Sequence, residues 1–178
     1  MGIISEPEPV NLVIGMLSGI PDTFGTVETE LEKRYGPIDI KSDLIQFTRT
    51  KYYQAEMGCN IMRKFIGFKE LIDPVTLASI KIVSNELETR ISSNNRYNLE
   101  RVINIDPGYL CKSRIILAST KDFSHRIYLR EGIYAEVTLM YSSKERSYKH
   151  LQWTFPDYRT DEYISFFNRV RNMYIKKF

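Results

Sequence analysis

Cysteine is scarce in this chain of 178 residues, which has two, Cys59 and Cys111. They lie far apart and form no CxxC pair. That excludes a zinc knuckle and a disulfide framework, and leaves two reduced thiols of the kind a cytosolic protein carries. A surplus of charge of one sign is also missing. With 25 basic and 22 acidic residues the formal charge is +3, too balanced either to require or to exclude a polyanion such as RNA. The amino terminus, from Met1 through Pro9, holds no basic region and no long apolar run, so it reads as neither a secretory signal nor a membrane span. Glu6 stands where a myristoylation site needs Ser or Thr.

Signature motifs of common enzymes are absent as well. No Gly-x-x-x-x-Gly-Lys-Ser/Thr occurs, and the segment Gly15 to Gly19 lacks the lysine that would reach a phosphate. Thr120, Lys121 and Asp122 only faintly echo the guanine-binding Asn-Lys-x-Asp, so a P-loop GTPase is excluded. Without a Gly-x-Ser-x-Gly elbow or a paired-histidine motif, serine hydrolases and zinc peptidases have no support. What remains is a chain of one-domain length, residues 1–178, long enough to bury roughly 70% of the surface its unfolded form exposes.

The hydrophobic pattern is informative. Val10 to Leu17 is an almost unbroken apolar run, as expected of a central strand covered on both faces, and Gly15 within it suggests a close backbone approach. Phe24, Val27, Leu31 and Tyr35 recur at helical spacing, with Asp22 or Thr23 as the cap and Gly36-Pro37 as the stop. Ile38 to Phe47 reads as a second strand, and 48–60 as a polar and aromatic insertion in which Lys51, Tyr52, Tyr53 and Glu56 either close over a pocket or simply pack a loop. Arg63 to Phe68 is a third strand. Asp73-Pro74 marks the start of a second helix, with Ile80, Val83, Leu87 and Ile91 inward and Asn85, Glu86 and Glu88 on a solvated face. Arg101 to Asp106 is a fourth strand, ended by Asp106-Pro107-Gly108 as a type II turn. Tyr109 to Ser119 reads as a short helix, with a strand on Ile115-Ile116-Leu117 as the alternative. Glu162 to Phe178 forms the last helix. The order strand, helix, strand, strand, helix, strand predicts an α+β fold: a ferredoxin-like antiparallel sheet with helices on one face, extended by a C-terminal hairpin and terminal helix.

That hairpin joins Phe123–Leu129 to Ile133–Tyr141. A two-residue loop would pair Ile127 with Glu136 and mix charge into both faces. A three-residue loop, Arg130-Glu131-Gly132 with Gly132 left-handed, pairs Leu129 with Ile133, Ile127 with Ala135, Tyr128 with Tyr134 and Arg126 with Glu136. The second register predicts a core face of Ile127, Leu129, Ile133, Ala135 and Val137. Opposite it lies a polar face of Ser124, Arg126, Tyr128, Tyr134, Glu136 and Thr138, open to water or to a ligand, and His125 falls on the apolar side. Reactive polar residues concentrate between Asn104 and Tyr141 among apolar runs, as a pocket requires. Asp106, His125 and Glu136 are the candidate catalytic residues; Lys121, Asp122, Arg126, Tyr128 and Tyr134 are the candidate ligand contacts. Asp106, Lys121, Asp122 and His125 returning to one sheet end would also suit a hard metal ion, though their spacing matches no metal motif.

The segments Asn104 to Tyr109, Thr120 to Tyr128, Gly132 to Thr138 and Trp153 to Tyr158, with Asn11 to Met16 and Tyr35 to Asp39, resemble a bacterial family of uncharacterised proteins of about 180 residues. Its members sometimes carry the label GTP-binding protein, and that label has no P-loop here to rest on. The resemblance implies no activity, cofactor or catalytic residue. The expectation is therefore built from the residues: a small phosphate- or nucleotide-like anion held by Arg126 and Lys121 on the polar face, Asp106 and Glu136 positioning a hydroxyl or metal, and acid/base turnover by Asp106 or His125 left open. The alternative is an RNA-binding or protein-interaction module using Trp153 to Tyr158 and the basic Arg169, Arg171, Lys176 and Lys177. A core role for Trp153 and Phe155 is the more economical expectation.

Overall fold

The computed structural model describes residues 2–48, 54–58, 60–94 and 99–178. In chain order these form β1 (Val10–Ser18), α1 (Asp22–Tyr35), β2 (Ile38–Lys41), β3 (Ile45–Gln46), α2 (Gln54–Met57), β4 (Met62–Ile72), α3 (Leu77–Ser93), β5 (Ile103–Leu110), β6 (Arg114–Ser119), β7 (Ile127–Arg130), β8 (Ile133–Ser142), β9 (Ser147–His150) and α4 (Asp161–Tyr174). The strands make one open, antiparallel, nine-stranded sheet in the order β2-β4-β1-β5-β6-β8-β7, with β3 beside β4 and β9 beside β8. The fold is thus mixed α and β.

β1 is buried at every position, which is why its sequence need not alternate. Leu12, Ile14 and Met16 meet Phe24, Val27 and Leu31 of α1 and Ile80 and Leu87 of α3 on one face. On the other face Val13 and Phe65 meet Tyr163, Phe166, Phe167 and Val170 of α4. Gly15 has no room for a side chain: a Cβ there would lie 2.9 Å from the Phe65 ring and 3.1 Å from Arg63 Nη1. The close approach expected at this glycine is an approach of β4 side chains.

Several local expectations are corrected. Pro21, not Asp22 or Thr23, holds the cap position of α1 and gives it no side-chain cap, although Gly36 (φ 85°) ends it as its position suggests. The second strand breaks into β2 and β3 because the Ser42 hydroxyl accepts the Phe65 amide (2.9 Å) in place of a ladder carbonyl. Asp106-Pro107-Gly108 is not a turn but the middle of β5, and Tyr109 to Ser119 is the end of β5 followed by β6 rather than a helix. Pro107 is tolerated because β5 pairs with β6 only from Gly108 onward. Gly108 is needed there, since a Cβ would collide with the Ile116 carbonyl.

The hairpin has a two-residue loop, Glu131 (φ 52°) and Gly132 (φ 75°), between paired Arg130 and Ile133. A bulge between Tyr128 and Arg130 absorbs the extra residue, so Ile127 still pairs with Ala135 and Tyr128 with Tyr134. The core face is half realised. Ile133 is buried, with Ala135 and Val137 packed against its cluster, but Ile127 is 71% exposed and Leu129 is exposed too, β7 being the edge strand of the sheet. Asp73 accepts the Val75 amide (2.9 Å) ahead of α3, and Thr160 caps α4 through the Tyr163 amide (3.4 Å). No helix among the described residues is long and apolar enough to cross a membrane.

Candidate functional site

β5 and β6 pair only between Gly108–Leu110 and Ile115–Leu117. Towards Ile103 and Ser119 they diverge, and a fork opens in the sheet. Ile105 keeps Met16 of β1 as a neighbour but has none on the β6 side, where side chains of α3 take the place of a strand. Glu88 Oε1 accepts the Ile105 amide (2.5 Å), and Lys81 Nζ donates to the Ile105 carbonyl (2.8 Å). Glu88 is therefore buried rather than solvated, unlike exposed Glu86, while Asn85 lines the fork. Burial pushes the Glu88 carboxyl above its ordinary value, even though Lys81 and Arg101 pull the other way.

A cleft of about 730 Å³ fills the fork. Its inner wall carries a continuous polar chain. Arg101 Nη2 donates to Glu88 Oε2 (2.6 Å) and to Asn104 Oδ1 (2.5 Å), and Asn104 Nδ2 donates to Asp106 Oδ2 (2.5 Å). Asp106 lies 3.4 Å from Lys81 Nζ and 3.7 Å from Arg63 Nη1, and Arg63 Nη2 donates to Asp157 Oδ2 at 3.1 Å. Burial raises the Asp106 carboxyl, but Lys81, Arg63 and the Asn104 amide outweigh it and hold the group below its usual value.

Arg63 is the centre of this wall. Its side chain is 4% exposed and its guanidinium carbon sits 5.4 to 6.0 Å from the ring centres of Phe65, Phe47, Tyr158 and Tyr163. Burial opposes its charge, yet Tyr158, Tyr163, Asp157 and Asp106 lift its pKa above the ordinary arginine value, so it stays cationic. Nε and Nη1 find no hydrogen-bond partner among the described residues, and neither does the Tyr158 hydroxyl. Burial also drives the Tyr158 phenol well up, so it remains a donor. Buried donors without partners are uncommon and call for a missing acceptor. Arg63 and Tyr158 both line the cleft.

The outer wall holds three residues singled out from sequence, Lys121, Arg126 and Glu136. Glu136 Oε2 accepts Arg126 Nε (2.8 Å) and lies 3.1 Å from His125 Nε2, while Oε1 accepts the Thr138 hydroxyl (3.2 Å). Arg126 Nη1 also donates to Ser119 Oγ (2.8 Å) and the Lys121 carbonyl (2.9 Å). Arg126 thereby ties the β6–β7 connection to β8. Asp106, Lys121, Arg126 and Glu136 all line the cleft. His125, expected on the apolar side, is turned to Glu136 and stacks on Trp153 with ring centres 5.5 Å apart. Asp122 is exposed and does not line the cleft. Tyr128 and Tyr134 pair edge-on at 5.4 Å nearer the hairpin tip, and they too lie off the lining. Lys51, Tyr52, Tyr53 and Cys59 fall outside the described residues, while Glu56 lines the cleft.

Residues 8–174 match the family model of a domain of unknown function, DUF4416. The chain belongs to this family. The DUF4416 match spans both walls of the cleft, from Phe47 to Tyr158. No curated protein and no solved structure matches the chain.

Within the DUF4416 domain, sequence reasoning missed Arg63 and Lys81, set Glu88 on a solvated face, and placed Asp157 and Tyr158 only in the Trp153 to Tyr158 contact of the alternative reading. A signal existed for one of them. Arg63 stands two residues from Phe65 and so on the same face of its strand, which puts a cation at a core-facing position, opposite Leu17 and with its guanidinium beside Gly15. Lys81 and Glu88 carried no such mark, since lysine and glutamate on a helix normally face water. Among the described residues no group of three histidine, cysteine or carboxylate side chains is placed to hold a metal ion. Asp106, the first of the proposed ligands, is engaged by Lys81, Arg63 and Asn104.

Proposed function

We propose that the cleft binds a small anionic ligand, phosphate- or nucleotide-like in charge, with Arg63 as its anchor. The observation that carries this reading is a guanidinium removed from water, with two nitrogens lacking hydrogen-bond partners, on the wall of a cleft of ligand size. Tyr158 adds a donor beside it, and Lys81 and Lys121 add positive charge. The anchor expected from sequence, Arg126, is engaged by Glu136, Ser119 and a carbonyl and serves as the frame of the outer wall. For turnover, Asp106 is the carboxylate that lines the cleft, but Lys81, Arg63 and Asn104 hold it ionised and so make it a weak base, better suited to orient a ligand hydroxyl than to take its proton; His125 faces Glu136 and Trp153 instead. The framework is read as ferredoxin-like, supported by the strand order β2-β4-β1-β5 and by α1 and α3 sharing one face. A cytoplasmic location fits the cysteine pattern.

The test is a thermal-shift screen against inorganic phosphate, sugar phosphates and nucleotides. A saturable rise in Tm that is weakened in Tyr158→Phe supports the reading, and no response to any compound overturns it. A second reading, contact with RNA or a protein, draws on one observation. Trp153 (40% exposed) and Phe155 (51%) are on the surface and not in the core as expected. Its basic half is weaker: Arg171 lies 3.4 Å over the Tyr141 ring and donates to the Lys112 carbonyl, and Lys177 pairs with Asp39 at 3.6 Å. Salt-sensitive association with RNA would favour it.

A further inference from the structure

We propose that the anion taken by this cleft carries a flat aromatic ring, which lies against Phe155 at the mouth while its anionic group meets Arg63 and Tyr158; this rests on the anion reading above. Phe155 is half exposed, yet it lines the cleft. It is held there by an ordered segment. Ahead of it, Trp153 Nε1 donates to the Val137 carbonyl (2.8 Å), and the buried Thr154 hydroxyl donates to the Thr138 carbonyl (2.6 Å) while accepting the Leu151 amide (2.8 Å). Behind it, Asp157 binds Arg63 (3.1 Å), and Arg159 Nε returns to the Thr154 carbonyl (2.7 Å).

Both flanks of Phe155 are therefore fixed to β8 and β4. A ring on a slack loop would fold onto the nearest apolar surface, whereas this one is kept in water by the hydrogen bonds on either side. Such an arrangement is organised in advance for a partner that supplies the missing ring contact. The same short segment continues along the wall through Pro156 and Asp157 to Tyr158, so the ring and the unpartnered phenol donor belong to one rigid turn. A ligand that satisfies both ends must place an aromatic ring and an anion in one small molecule. A polyol phosphate has nothing to offer Phe155.

Calorimetric titration of the whole chain with two matched pairs, methyl and phenyl phosphate, and acetate and benzoate, tests this. The ring-bearing member should bind about three- to tenfold more tightly than its partner, as an aromatic pair adds. Phe155→Ala should bring phenyl phosphate down to the affinity of methyl phosphate, and Tyr158→Phe should weaken both. Phe155 is exposed and Tyr158→Phe removes a single oxygen, so the folded state is retained for both measurements. Equal binding of the two members, or a ring preference that survives Phe155→Ala, overturns the ring inference and leaves the anion reading standing. Failure of all four compounds to bind overturns both.

Discussion

Gly15 and Asp106 face each other across β1 and β5, and each controls Arg63 by a different means. Gly15 provides the space. Gly15→Ala should displace Phe65 and the guanidinium and destabilise the fold by about 1–3 kcal/mol through overpacking, visible as a lower denaturant midpoint. Asp106 provides charge. Its carboxyl titrates below the ordinary 3.8, because Lys81, Arg63 and Asn104 outweigh the effect of burial. Between the folded and unfolded values the unfolded chain binds more protons, so stability rises with pH through that window. The contribution is complete above about pH 3.8 and is lost as pH falls through the lower folded value. Asp106→Asn should flatten this acid limb of a stability-against-pH profile. A limb identical to that of the native chain would show that Asp106 is not coupled to Lys81 and Arg63 as described.

Among elements, the fork between β5 and β6 matters most. It stays open because α3 supplies both hydrogen bonds that β6 does not make to Ile105. Glu88→Ala should leave the Ile105 amide unsatisfied at about 1–3 kcal/mol, and amide hydrogen exchange should accelerate at Ile105 more than at the paired residues of β1. At the other end, Thr160→Ala should remove the α4 cap for about 1 kcal/mol, read from thermal unfolding. The elements themselves were largely legible. β1, α1, β4, α3 and α4 follow from hydrophobic period and from Gly36 and Asp73-Pro74. The segment from Asp106 to Ser119 was not, because Asp-Pro-Gly is normally a turn and only long-range pairing with β1 keeps it extended. The hairpin register was legible for Tyr128 and Ile127, but the bulge at Leu129 was not, since two compensating irregularities leave the same pattern of pairs.

For the molecule as a whole, a ligand that binds only the folded chain at a hundred times its Kd should add about 2.7 kcal/mol, and Tm should rise with its concentration. The sheet is continuous and covered by α1 and α3 on one face and α4 on the other, so unfolding should be a single cooperative transition, checked by coincident circular dichroism and fluorescence curves. What the sequence determined by itself was local: which stretches extend, which coil, and where polar residues concentrate among apolar ones. Hydrophobic period and turn chemistry act between near neighbours and are written in the order of the residues. Which cation keeps nitrogens without a hydrogen-bond partner was decided only by the tertiary structure. Of Arg126 and Arg63 the first looks the more available in the chain, but folding sets Glu136 and Ser119 against it. It sets four aromatic rings and an open cleft against the second, and those contacts join residues as far apart as Arg63 and Tyr158.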